Sequence, residues 1–131
     1  MKPISAMSDE ELAIAVAEEV LDGTDRLYTG IRLENMKLYS WIINGKRIDF
    51  NPFHDANHWM IVERRMRELN HGLSIEGRRS GYEVAFYEFH GEEAVWLYPK
   101  NHEFHPEVWN TEIGRAVCEA ALVAMKGKEV T

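Results

Sequence analysis

Asn44-Gly45 is the feature that most narrows what this chain can fold into. The pair stands between β-rich flanks in LYSWIINGKRIDF, Leu38 to Phe50. Asn-Gly readily supplies the two positive φ angles of a type I′ turn, whose twist matches that of the strands it joins. Counting outward pairs Ile43 with Lys46, Trp41 with Ile48 and Tyr39 with Phe50, a face of aromatic and aliphatic side chains. The alternate pairs, Ile42 with Arg47 and Ser40 with Asp49, are mixed, as in a sheet whose second face is only partly covered. Such a sheet is antiparallel, and its apolar face needs helices against it.

Three segments have the pattern of those helices. MSDEELAIAVAEEVLDG opens with Ser8 and Glu11 in capping-box spacing, carries Leu12, Val16 and Val20 beside Ala13 and Ala17 on one stripe, and ends at Gly23. A second helix is predicted from His54 or Asp55 to Asn70, with Ala56, Trp59, Val62, Met66 and Leu69 at intervals of three and four, stopped by Asn70-His71-Gly72. The third begins near Asn110 or Thr111 and runs to about Lys126, with Ile113, Ala116, Val117, Ala120 and Ala124 on one face. Between the second and third, YEVAFYEF (Tyr82 to Phe89) and AVWLYP (Ala94 to Pro99) read as a second hairpin joined by HGEE, preceded by a short strand LSIE (Leu73 to Glu76) and the basic link EGRRSG. A polar connection, KNHEFHPEVWN, leads to the last helix. The expectation is therefore an α+β fold in the order α-ββ-α-(β)ββ-α: an antiparallel sheet of four or five strands, built from two hairpins and sandwiched by three amphipathic helices. Residues 1–131 make a single domain, ordered over about 8–126, with a size that buries roughly two-thirds of the unfolded surface.

Composition removes whole classes of function. No window approaches the run of about 18 apolar residues that crosses a bilayer, so no membrane role is expected. MKPISAM lacks the apolar core of a secretory signal, which places the chain in the cytoplasm. The single Cys118 cannot form an internal disulfide or a thiolate zinc cage, in keeping with a reducing compartment. A net charge of −7 repels bulk nucleic acid.

Three stretches taken together, EELAIAVAEEV, FNPFHDANHWMIVERRM and EIGRAVCEAALVAM, resemble the small phage and prophage proteins of the ABA-sandwich type. That pattern has an N-terminal helix with ELxxxVA-like spacing, a Trp-containing strand leading into (F/W)NPxxDxxxAxxxVxxxM, a strand pair and a closing alanine-rich helix. The likeness touches most of residues 8–126. Phe53-His54 replaces the small or hydroxylated residues usual after Asn-Pro, so Asp55 must cap the second helix or Asn51 must hold the turn. The resemblance implies a phage or prophage origin, a helix-sheet-helix sandwich, cytoplasmic expression in the bacterial host, and no catalytic residue.

Two constellations are the candidates for chemistry. His54 and His58 stand at i and i+4 with Asp55 between them, the spacing of a helical zinc pair, and His102 and His105 in NHEFHP are the further ligands such a site would need. The simpler account is a turn and helix cap with surface histidines. Arg64, Arg65, Arg67, Arg78 and Arg79 place five of the fifteen Lys and Arg residues within sixteen positions. Arginine suits bidentate recognition of phosphate, and Tyr82 and Trp59 are aromatic neighbours able to stack a base. Arg64, Arg67, Arg78, Arg79 and Tyr82 are thus the candidate ligand set, against the simpler account of a solvated helix face and loop. Aromatic residues crowd the C-terminal half, more than one core face needs, which makes a homodimer reasonable. No cofactor is implied. The expected function is a non-enzymatic phage accessory protein that binds a host or phage protein or itself. The alternatives are a counter-defence protein that sequesters a small nucleotide-derived signal, and a metal-dependent hydrolase at His54 and His58.

Overall fold

The computed structural model describes residues 3–89 and 108–129, with the backbone alone for 127–129. Helix α1 (Asp9–Ala15) starts with the expected capping box: Glu11 N–H donates to Ser8 Oγ at 3.1 Å, and Ser8 N–H donates to Glu11 Oε1 at 2.9 Å. It runs on into a π turn (Val16–Val20), in which Leu21 N–H reaches back to the Val16 carbonyl at 3.1 Å. Leu12, Ala13, Val16, Ala17 and Val20 are all buried, the stripe the spacing predicts.

β1 (Thr24–Leu33), β2 (Met36–Ile43) and β3 (Lys46–Asp49) form one antiparallel sheet in the order β1-β2-β3. Asn44 and Gly45 take φ of 51° and 79°, and the β2–β3 register is the one counted from that turn: Ile43 with Lys46, Trp41 with Ile48, Ile42 with Arg47, Ser40 with Asp49. Phe50 N–H extends the ladder by donating to the Tyr39 carbonyl at 3.2 Å. β1 has no counterpart in the sequence reading. Its pairing with β2 shifts between Thr24 and Leu27 and again between Tyr28 and Arg32, around Asp25 (φ 56°) and Gly30 (φ 84°). Each bulge breaks the period of two by which a strand is recognised.

Helix α2 (Ala56–Glu68) is capped by Asp55, whose Oδ1 accepts the Asn57 N–H at 2.9 Å, while the Asn51 carbonyl accepts the Asp55 N–H at 3.1 Å. Both devices that can replace a hydroxyl cap are in use. Asn70, at φ 71°, ends the helix as predicted. β4 (His71–Arg78), β5 (Gly81–Glu88) and β6 (Val108–Asn110) make a second antiparallel sheet in the order β4-β5-β6. β4 is longer than LSIE, absorbs most of the basic link and reaches β5 through a two-residue turn, Arg79-Ser80. β6 occupies the end of the segment read as a polar connection. The predicted strand Ala94 to Pro99 lies outside the described residues. The α+β class holds, but the described residues form two three-stranded sheets in place of one sheet of four or five strands.

Helix α3 (Ile113–Glu129) departs furthest from a one-faced helix. Ala116 through Leu122 are buried without interruption, so this stretch of the helix is enclosed on every side, and α3 packs against α1, the π turn, α2, β5 and β6. Glu119 is buried with it, and Arg115 is partly buried beside it. Arg115 Nη1 donates to Asp9 Oδ1 at 2.6 Å, Nη2 to the Met7 carbonyl at 2.7 Å and Nε to Glu119 Oε2 at 3.2 Å, and Asn110 Nδ2 also donates to Glu119 at 3.1 Å. Burial alone would lower the Arg115 pKa, but Asp9 and Glu119 outweigh it and raise it. No helix among the described residues is long and apolar enough to cross a membrane.

Gly114 lets α3 approach the Asn51-Pro52 turn. A Cβ there would lie 2.2 Å from the Pro52 carbonyl oxygen, whereas one at Gly77 meets nothing within 4 Å. Gly114→Ala is therefore expected to destabilise the fold by about 1–3 kcal/mol through overpacking against backbone, and Gly77→Ala to leave it within about 0.5 kcal/mol. Urea unfolding midpoints check this; equal midpoints would mean that the turn yields freely.

Candidate functional site

Among the described residues, the element with most exposed large apolar side chains is β1. Leu27, Tyr28 and Ile31 are 51%, 49% and 50% exposed, on a strand that has β2 on one side and, among the described residues, no strand on the other. An edge strand presents unpaired backbone donors and acceptors, and apolar side chains beside them are what a second strand would cover. The Tyr28 ring packs against Tyr39 at 5.8 Å, with Lys37 Nζ 5.6 Å from its centroid, and Arg26 lies over the Tyr39 ring at 5.7 Å. From Tyr39 the rings continue inward to Trp41, Phe50 and His58 at successive centroid distances of 6.1, 6.2 and 6.0 Å. The edge is thus stiffly connected to the core. Trp41 is fixed in turn by its indole N–H, which donates to Glu18 Oε2 at 2.9 Å.

The histidine pair is built into the turn before α2. His58 Nδ1 accepts the Asn51 N–H at 2.8 Å, which leaves the ring proton on Nε2, 3.6 Å from Asp55 Oδ2. His54, at the exposed entry to the helix, places Nδ1 3.0 Å from Asn51 Oδ1. A metal at His58 Nδ1 would have to displace a backbone hydrogen bond. Among the described residues no group of three or more His, Cys, Asp or Glu side chains is placed to hold a metal ion; His102 and His105 lie outside those residues.

The arginines do not converge. Arg67 precedes the eight-residue strand β4 and Arg78 ends it. Arg67 pairs with Glu63 at 2.9 Å, and Arg78 lies between Glu76 at 3.3 Å and Glu83 at 2.9 Å. Arg79 sits in the exposed β4–β5 turn. Tyr82 and Trp59 both line a cleft of about 370 Å³ with Pro52 and Ile113, but the charged side chains lining that cleft are Asp55 and Glu112. Arg64 stands apart from all of these, on a groove between α2 and the β2–β3 turn together with Lys46. That pairing has no signature in the sequence, because eighteen positions separate the two residues and only the packing of helix on hairpin joins them. His71, read as part of a helix stop, is fully buried with Nε2 3.7 Å from Glu88 Oε1.

Compared with protein families, curated proteins and solved structures, the chain finds no match in any of the three.

Cys118 is not a nucleophile in this setting. It is enclosed within α3, and burial pushes its thiol pKa well up, against a weaker downward pull from Arg115. A raised thiol pKa means that the fold opposes ionisation, so its contribution is intact below the ordinary thiol value of about 8.5 and declines as pH rises beyond it. Iodoacetamide at pH 8 should leave Cys118 unlabelled in the native protein and label it fully in urea. Rapid native labelling, read by mass spectrometry, would contradict the enclosure of α3.

Proposed function

We propose that this chain is a non-enzymatic accessory protein of the phage type, acting in the cytoplasm of a bacterial host, and that it works by offering β1 to another protein chain. The observation that supports this reading is the ten-residue edge strand with Leu27, Tyr28 and Ile31 half exposed. Adding a strand to such an edge supplies backbone hydrogen bonds for affinity and side-chain pockets for choice. The bulges at Asp25 and Gly30 interrupt the outward row of amides, so a partner strand has to match that break in register. The partner is a host or phage protein, or a second copy of the chain. Sequestration of a nucleotide-derived signal has less support, because Asp55 and Glu112 in the Trp59–Tyr82 cleft repel phosphate.

Leu27→Lys combined with Ile31→Lys tests the proposal, since both side chains are exposed and the fold should tolerate the change. The wild-type chain is expected to dimerise in sedimentation runs at rising concentration, or to retain a protein from host lysate. The double variant is expected to lose that binding by at least about tenfold, and Met60→Lys, an exposed apolar site on α2, to keep it. Binding unchanged in the double variant, or none in the wild type, would remove the case for β1.

A further inference from the structure

The groove that holds Lys46 and Arg64 takes only Arg64 from the ligand set considered above, and no residue of β1 lines it. Its floor is aliphatic: Leu21 from the end of the π turn, Ile43 and Ile48 from the hairpin, and Ile61 from α2. The rim is cationic. Arg65 is committed, donating to the Val20 carbonyl at 3.2 Å and to Asp22 at 2.8 Å. Lys46 and Arg64 enter no ion pair among the described residues, and Glu68 is the one acid in the lining. A chain of net charge −7 thus brings two uncommitted cations to the mouth of an apolar groove. Aliphatic surface beside unpaired positive charge is complementary to a molecule with an apolar body and one anionic head. The volume is about 290 Å³, which at the roughly 30 Å³ that one water occupies in the liquid is room for about ten non-hydrogen atoms.

We propose that this groove binds a small amphiphilic anion: an aliphatic chain of up to about eight carbons that fills the groove, ending in a single carboxylate or phosphate that stays at its mouth. The tail lies on Leu21, Ile43, Ile48 and Ile61, and the head is held between Lys46 and Arg64. The flat guanidinium of Arg64 donates to two head oxygens side by side, and the flexible Lys46 ammonium approaches from the opposite wall. Glu68 works against a doubly charged head, which favours the carboxylate over the phosphate.

Methyl-detected NMR with labelled isoleucines tests the site directly, because Ile43, Ile48 and Ile61 are reporters in its floor. The probes are octanoate, octyl phosphate, 1-octanol and inorganic phosphate. Octanoate is expected to shift all three methyl resonances saturably and to bind at least about tenfold more tightly than octanol or inorganic phosphate, each of which has half of the recognition. Octyl phosphate is expected to bind at the same methyls and more weakly than octanoate; tighter binding would overturn the preference for the carboxylate head. Lys46→Gln with Arg64→Gln should weaken octanoate by about tenfold or more while leaving the remaining spectrum in place. Equal binding of octanol, equal binding of inorganic phosphate, shifts elsewhere than at these three isoleucines, no saturable shift at all, or an unaltered affinity in the double variant would each overturn the proposal. The β1 variant Leu27→Lys/Ile31→Lys should bind octanoate as the wild type does, so this site stands or falls apart from the edge-strand function.

Discussion

Enclosure of α3 on every side is the constraint on which the rest of the structure depends. A helix with solvent on one face can carry its polar residues there, but from Ala116 to Leu122 this one has no such face. Close approach from all directions requires small side chains, and Gly114, Ala116, Ala120, Ala121 and Ala124 provide them. The charges that remain must then find partners inside. Arg115 is bound to Asp9 and the Met7 carbonyl at the start of α1 and to Glu119 one helical turn on, which ties the two ends of the chain together across more than a hundred residues. Removing the guanidinium would leave Glu119 enclosed beside a single amide donor, the circumstance in which breaking a buried pair is most costly.

A second line of contacts joins the hairpin to α2. Trp41 meets Phe50 edge-on, Phe50 stacks on His58, and His58 accepts the Asn51 N–H in the turn that presents Pro52 to Gly114. The Phe-Asn-Pro stretch is therefore a joint between sheet, α2 and α3. His58 is used as a hydrogen-bond acceptor at that joint.

The parts of the fold legible in the sequence are those fixed by local chemistry. Asn44-Gly45 sets a two-residue turn, and a two-residue turn sets register, so each β2–β3 pair follows by counting. Ser8, Glu11, Asp55 and Asn70 act within a few residues of themselves and mark helix ends for the same reason. β1 was illegible because two bulges scramble its alternation, and because its half-exposed apolar residues look like neither a core strand nor a polar loop. The apolar stripe of α3 was visible, but its enclosure was not: Arg115 and Glu119 interrupt the pattern, and their partners stand on other elements. The candidate sites fared by the same logic. Arg64, Arg67, Arg78 and Arg79 are neighbours in the chain, yet α2 and β4 carry them to opposite ends, while Lys46 reaches Arg64 only through tertiary packing.

An exposed apolar edge would ordinarily invite indiscriminate pairing, and β1 carries the features that restrain it. Asp25 and Gly30 kink the strand at two points, so no long straight run of outward amides is available. Arg26 and Lys37 lie against the Tyr39 and Tyr28 rings, where they keep charge beside the apolar surface without withdrawing the aromatic faces from the sheet. A generic strand would have to bury or displace those cations and would meet the bulges out of register. Arg26 already pairs with Glu18 at 3.5 Å, so a partner with a matching break in its own ladder and an acidic side chain opposite Lys37 would satisfy both conditions. On the proposed use of β1, the geometry that disfavours generic pairing would also confer selectivity, with residues whose rings are anchored, through Tyr39, Trp41 and Phe50, in the core that α3 organises.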